Sequence, residues 1–290
     1  MYRIFTDTDT DVTPEIAAKY GYSLISMPYS VDGKTVYPYE DFTEYDYHAF
    51  YDSLRTGVLP NTSAISEDRY IAYFEPVFAA GEDILYVHFS AAMTMTFDNM
   101  KKAVDSLLKK YPERRFYSID TKGITSISMN IAEEIGDLYK AGKTAEEIVA
   151  WAETEVDHFA QYFFADDLTF FKHSGRVGGL AATMGTLLGV RPISYMNDEG
   201  KMVSIGKERG RTRAMEKLVS YVEELGDRIE DHRIIIGHTD AEDLAKEVAE
   251  LLVSRFPDKK LRIEFDIVNP TAGSHCGPDG VGISFHAVHR

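Results

Sequence analysis

The sequence is poor in several things, and each shortage removes a class of function. It holds one cysteine, Cys276, so an internal disulfide and a multi-thiolate metal site are both out of reach. No apolar run reaches the 18 residues that a membrane-crossing helix would need. Basic residues are outnumbered, 31 Lys and Arg against 47 Asp and Glu, for a net charge of −16. A surplus of that sign opposes general nucleic-acid binding, which neutralises phosphates with Lys and Arg, and opposes docking on an anionic membrane surface. The opening MYRIFTDTDTD runs into a strand-like segment where a signal peptide would carry an apolar core; the expected location is the cytoplasm. Repeats, low-complexity tracts and a linker rich in Pro, Gly or Ser are also missing.

What is present suits a globular protein: 290 residues, 44% hydrophobic and 27% charged, enough for one large or two ordinary domains. Strand-length apolar runs alternate with stretches of helical period, the grammar of α/β architecture. Tyr2–Phe5, Ile84–Phe89 and Phe116–Ile119 read as buried strands. Helices are expected over Glu67–Ala79 and from about Met95 to Tyr111. A helix with Ile131, Ile135 and Leu138 on one face precedes another opened by the Thr144/Glu147 capping box. In the second half Leu168–Phe171, Pro192–Met196, Lys201–Ile205, Arg233–Gly237, Arg262–Val268 and Gly282–Val288 read as strands. Helical stripes fall at Met215, Leu218, Val219, Val222 and Leu225, and at Leu244, Val248, Leu251 and Leu252. The turn Asn197–Gly200 between two strands signals a hairpin, hence a mixed sheet. The expectation is an N-terminal, mostly parallel α/β domain over residues 1–162 and a C-terminal α/β domain with a mixed sheet over 163–290.

Charge is uneven. Between Lys172 and Lys217 nine Lys and Arg face four Asp and Glu, either a solvated surface or a contact for an anion or partner. Asp7, Asp9 and Asp11 follow the first strand, where open α/β sheets place ligands. Asp7 and Asp9 suit a Mg²⁺-dependent phosphatase or phosphotransferase with an aspartyl nucleophile, Ser90 standing as its phosphate-holding serine and Asp166 and Asp167 as its distal acids. That pattern wants Thr where Asp11 stands, however, and an EF-hand loop would need Gly at Val12 and Glu at Ala18. The plainer reading is that these Asp and Thr side chains shape turns and cap the helix begun by Thr13-Pro14. Two hydroxyl-rich links, Asn61–Ser66 and Ser90–Thr96, each precede a helix; such groups bind anions or simply cap. Two glycine-rich stretches, His173–Leu180 and Gly273–Gly282, let the backbone approach a ligand closely. Neither is a P-loop. His275 can donate to an anion or shuttle a proton, and its neighbour Cys276 is no evidence of a dyad. No metal site is expected.

Taken in order, the motifs resemble the DegV family, fatty-acid-binding proteins of which some present the acid to a separate kinase subunit. The likeness spans the chain: Asp7–Val12; Met27–Gly33 with Tyr37; Thr62-Ser63-Ala64-Ile65-Ser66; Ser90–Thr96; Ser174–Val177; Leu187–Ile193; and Gly273–Asp279. The resemblance implies a two-domain α/β protein that binds one long-chain fatty acid and has no catalytic residues or cofactor of its own. Its carboxylate would meet Thr62 and Thr94, with Ser63, Ser90, Thr96, Arg176, His275 and Gly277 completing the ligand-binding set. A fatty acid kinase subunit is the implied partner. Buried methylenes would supply affinity at about 0.8 kcal/mol each. The chain departs from the family's pattern at Met95, in place of Gly, at Ala91, in place of Ser, at Ser126–Asn130, which lacks two glycines, and at Asp279, in place of Gly.

Overall fold

The computed structural model describes residues 1–175 and 189–290. The first strand, β1 (Tyr2–Asp7), lies between β2 (Ser23–Ile25) and β6 (Asp83–His88), and β7 (Phe116–Asp120) closes the far edge. All pairs in this four-stranded sheet are parallel. Strict alternation sends Ile4, Leu85 and Val87 to one face and Phe5, Ile84 and Tyr86 to the other. Helices α3 (Glu67–Ala79) and α4 (Thr96–Lys110) cover the second face. Helices α1 (Pro14–Tyr20), α5 (Ser126–Lys140) and α6 (Ala145–Glu155) cover the first. The capping box at the start of α6 is formed as expected, Thr144 and Glu147 exchanging side-chain and backbone bonds.

A second sheet carries six strands in the order β10-β9-β8-β13-β11-β12. They are β8 (Phe159–Phe164), β9 (Val190–Met196), β10 (Met202–Arg209), β11 (Arg233–His238), β12 (Arg262–Ile267) and β13 (Val281–His286). Only β11 and β12 run parallel, so this sheet is mixed, and Asn197–Gly200 makes the β9–β10 hairpin turn. Its outer face buries Tyr162, Ile234, Ile236, Ile283 and Phe285 under α8 (Arg211–Leu225) and α9 (Glu242–Arg255). The inner face meets α5. That helix is therefore buried on all sides from Ser126 through Glu133, and it joins the two sheets.

A small antiparallel sheet of β3 (Tyr29–Val31), β4 (Lys34–Val36) and β5 (Asn61–Thr62) lies beside these layers, with α2 (Tyr47–Arg55) following β4. One correction concerns the centre of the chain. Leu168–Phe171, expected as a strand, belongs to the helix α7 (Thr169–His173). Asp167 accepts from both the N–H and the hydroxyl of Thr169, setting a helical start. The turn then sends Phe170 towards Tyr51 and Leu54, and Phe171 towards Ala165. The strand actually present there is β8, pairing with β13 and β9, so the expected division at 162/163 falls inside a strand. The glycine-rich stretch Gly273–Gly282 begins inside a helix, α10 (Pro270–Cys276), capped by Asn269 with Pro at its first position.

Candidate functional site

A cavity lies where the ends of the parallel strands meet the inner face of the mixed sheet. It encloses about 1130 Å³, the space at its open mouth included. Its walls are mostly apolar, among them Met27, Phe89, Phe163, Phe171, Met196 and Met202. Helix α10 presents Thr271, Ala272, His275 and Cys276 to it, the spacing of one helical face. Strand β8 contributes Gln161 and Phe163 from one face of its pleat and Phe164 from its end.

Of the residues singled out from the sequence, Thr62, Ser63, Thr94, Thr96 and His275 line this cavity together. Thr62 arrives on β5, paired across to Tyr29, and its Oγ1 lies 2.9 Å from His275 Nε2. Thr94 Oγ1 accepts the Thr96 N–H at 3.1 Å, which leaves its own O–H to donate. Thr96 is buried and its Oγ1 accepts the Ile65 N–H, tying α4 to the loop that carries Ser63. Ser63 is exposed, while Thr62 and Thr94 are half-buried. These three therefore mark the mouth.

Two of the expected residues stand elsewhere, and a third is not described. Ser90 is fully buried outside the lining: it caps the turn Ala91–Met93 and donates to Gly200 O at 2.7 Å, clipping the first half of the chain to the β9–β10 hairpin. Gly277 is also outside the lining. Its φ of 71° and the Phe170 ring against its α-carbon leave no space for a side chain. Arg176 lies outside the described residues. The basic stretch around it is partly neutralised, since Arg191 and Arg211 both pair with Asp166. Although burial opposes it, these guanidinium groups hold Asp166 below the usual carboxylate range.

The acidic motif after β1 serves the frame. Asp7 accepts from the Asp9 N–H, from Tyr86 Oη at 2.9 Å and from the Phe89 N–H. Burial, then the charge of Asp9, lifts its pKa well above the ordinary value, and its oxygens are enclosed and already taken by these three donors. Asp11 Oδ1 accepts the backbone and side-chain N–H groups of Asn269 at 2.9 and 2.6 Å, so it links β1 to the cap of α10. Asp166 and Asp167 precede α7 instead of a strand, and both are already committed. Among the described residues no cluster of three or more His, Cys, Asp or Glu side chains is placed to hold a metal ion.

Apart from Asp9 and Ser126, the motifs missed the polar residues of the inner wall of the cavity, Thr125, Gln161, His238 and Thr239. Thr239 Oγ1 accepts the Gly280 N–H, and His238 Nδ1 accepts the Ala241 N–H; burial lowers the His238 pKa, which favours the neutral ring. Ser126 packs against Gly237, where a β-carbon would collide with its hydroxyl. A signal for Gln161 was available: an amide inside FAQYFF breaks an otherwise apolar strand.

Comparison with known proteins places this arrangement. A family model described as an uncharacterised protein of the DegV family matches residues 1–288. A DegV domain-containing protein of Clostridium perfringens is 29% identical over 282 residues, covering 97% of this chain and 96% of its own length. Among solved structures, a lipid-binding DegV protein of Thermotoga maritima superimposes with a TM-score of 0.83 at 21% identity, over the full length of both chains. A stearic-acid-binding protein of Eubacterium ventriosum gives 0.86 at 18% identity, over 98% of this chain and 97% of the other. The fatty-acid-binding DegV of Bacillus subtilis gives 0.82 at 22%, over 99% of both.

Proposed function

The chain belongs to the DegV family, and on that premise we propose that it binds a long-chain fatty acid in the cavity between its two sheets. The observation that carries this reading is the composition of the cavity wall, apolar over most of its area with hydroxyls and an imidazole gathered at the mouth. Apolar walls bury methylenes. Thr94 and the hydrogen-bonded pair Thr62–His275 offer donors for a carboxylate without any Lys or Arg among the described lining residues. The structural relatives that bind stearic acid or fatty acids support the same reading.

In this reading the carboxylate is received by Thr62 and Thr94, with Ser63, Thr96 and His275 supporting them. The protein carries out no chemistry itself; it presents the acid to a separate kinase subunit in the cytoplasm, with Arg176 near that contact. We place the division between the two domains just ahead of Phe159, so that β8 stays whole with its sheet. Native mass spectrometry of the protein as purified is the direct test. Co-purifying fatty acid is the expected result; a protein that neither carries nor takes up palmitic, stearic or oleic acid would overturn the reading.

A further inference from the structure

Within that reading, the inner wall of the cavity raises a question of ligand class. Gln161 is 5% exposed and Thr125 6% exposed, and both line the cavity. The amide Nε2 donates to Thr125 Oγ1 at 3.1 Å. The other end of the amide, Oε1, is buried with no hydrogen-bond partner among the described residues. A buried amide half-satisfied in this way is unfavourable, and leucine would fill the same place between Phe159 and Phe163 on that face of β8 without the penalty. Thr125 is held just as firmly. Its N–H donates to Asp9 O at 2.8 Å, and its backbone sits at φ 60°, a conformation that a β-branched residue rarely keeps without surrounding constraint.

We propose that Gln161 and Thr125 form a second polar subsite, taking a hydroxyl carried on the acyl chain away from its carboxylate, so that the preferred ligand is a hydroxylated long-chain fatty acid. The proposal rests on the fatty-acid reading and narrows it. The two polar regions are separate in burial: Ser63, Thr62 and Thr94 are exposed or half-buried at the mouth, whereas Gln161 and Thr125 are enclosed. A saturated hydrocarbon tail would bring only C–H groups to the unpaired amide atom. A hydroxyl both donates and accepts, so it satisfies that amide whichever of its two ends faces the cavity. A second carboxylate fits worse, because Asp9 lines the same wall and like charges repel.

The test is equilibrium binding of stearic acid against hydroxystearic acids with the hydroxyl at successive mid-chain positions. The best-placed hydroxyl should improve affinity about five- to tenfold over stearic acid, the yield of one buried hydrogen bond. In Gln161→Leu that ratio should collapse towards unity. Hydroxystearic acids no tighter than stearic acid in the unmodified protein would overturn the subsite while leaving fatty-acid binding intact, and this outcome needs no variant to fold. A ratio that persists undiminished in a folded Gln161→Leu protein would overturn it too. Failure of every acid to bind would instead remove the fatty-acid reading on which the proposal rests.

Discussion

Thr62 Oγ1 and His275 Nε2 are joined by a 2.9 Å hydrogen bond across 213 positions of sequence. One partner lies on a two-residue strand of the small sheet and the other near the end of α10, so the bond spans the mouth of the cavity. A carboxylate entering there would find a hydroxyl already oriented by an imidazole. Thr62→Ala together with Thr94→Ala should therefore weaken fatty-acid binding by about 1–3 kcal/mol for each lost bond to the charged group. Isothermal titration with stearic acid measures this, and an unchanged affinity in the folded double variant would sink the carboxylate assignment.

Ser90 makes the opposite case. Its hydroxyl serves Gly200 O at 2.7 Å and lies outside the cavity wall. Ser90→Ala should cost about 1–3 kcal/mol of stability by leaving a buried carbonyl unpaired, with little change in fatty-acid affinity. Urea unfolding and titration of the same sample separate the two effects; a loss of affinity as large as that of the Thr62 variant would return Ser90 to the ligand.

How much of this was legible beforehand depended on residue type. Strands β1, β6 and β7 stand out as short apolar runs, and the helices α3, α6, α8 and α9 by the period that burial on one face imposes; β2, three residues long, did not. The run Leu168–Phe171 was misread because four apolar-rich residues carry too little periodicity to separate strand from helix; Asp167 as a side-chain partner for Thr169 decided it. The mouth of the site was readable through Thr62, Thr94 and His275, whose motifs are local. The inner wall was not, since Thr125 and Gln161 are 36 residues apart and become neighbours only when α5 packs onto the second sheet.

Asp11 and Asp266 give a pH dependence. Burial, then the neighbouring carboxyl, raises the Asp11 pKa, and burial lifts Asp266 to about 6, against about 3.9 in an unfolded chain. Between those values the folded protein holds a proton that the unfolded chain has released. The contribution is thus complete below about pH 4 and lost as the pH rises through about 6. Asp266→Asn keeps a neutral side chain throughout. The stability of the unmodified protein relative to Asp266→Asn should fall from pH 4 to pH 6.5. Parallel curves of unfolding midpoint against pH would show that Asp266 does not titrate in this window.

Arg233 holds the seam between α5 and the second sheet. Arg233 on β11 is 2% exposed and reaches three acids of α5, namely Glu133 at 2.7 Å, Glu134 at 3.1 Å and Asp137, as well as Tyr20 Oη on α1 at 2.9 Å. Glu133 is itself buried, and burial raises its pKa against the pull of Arg233. Removing the guanidinium would leave that buried carboxylate with only the half-exposed Lys19 ammonium at 3.3 Å, and breaking a buried pair costs up to about 3–5 kcal/mol. Arg233→Met should accordingly lower the melting temperature by on the order of 10 °C. Arg233→Met with Glu133→Leu removes both charges and should recover much of the loss, because the penalty belongs to the orphaned acid more than to the missing bond. If the double variant melts no higher than the single one, Arg233 acts through its remaining partners, Asp137, Glu134 and Tyr20, and the seam depends on the hydrogen bonds themselves.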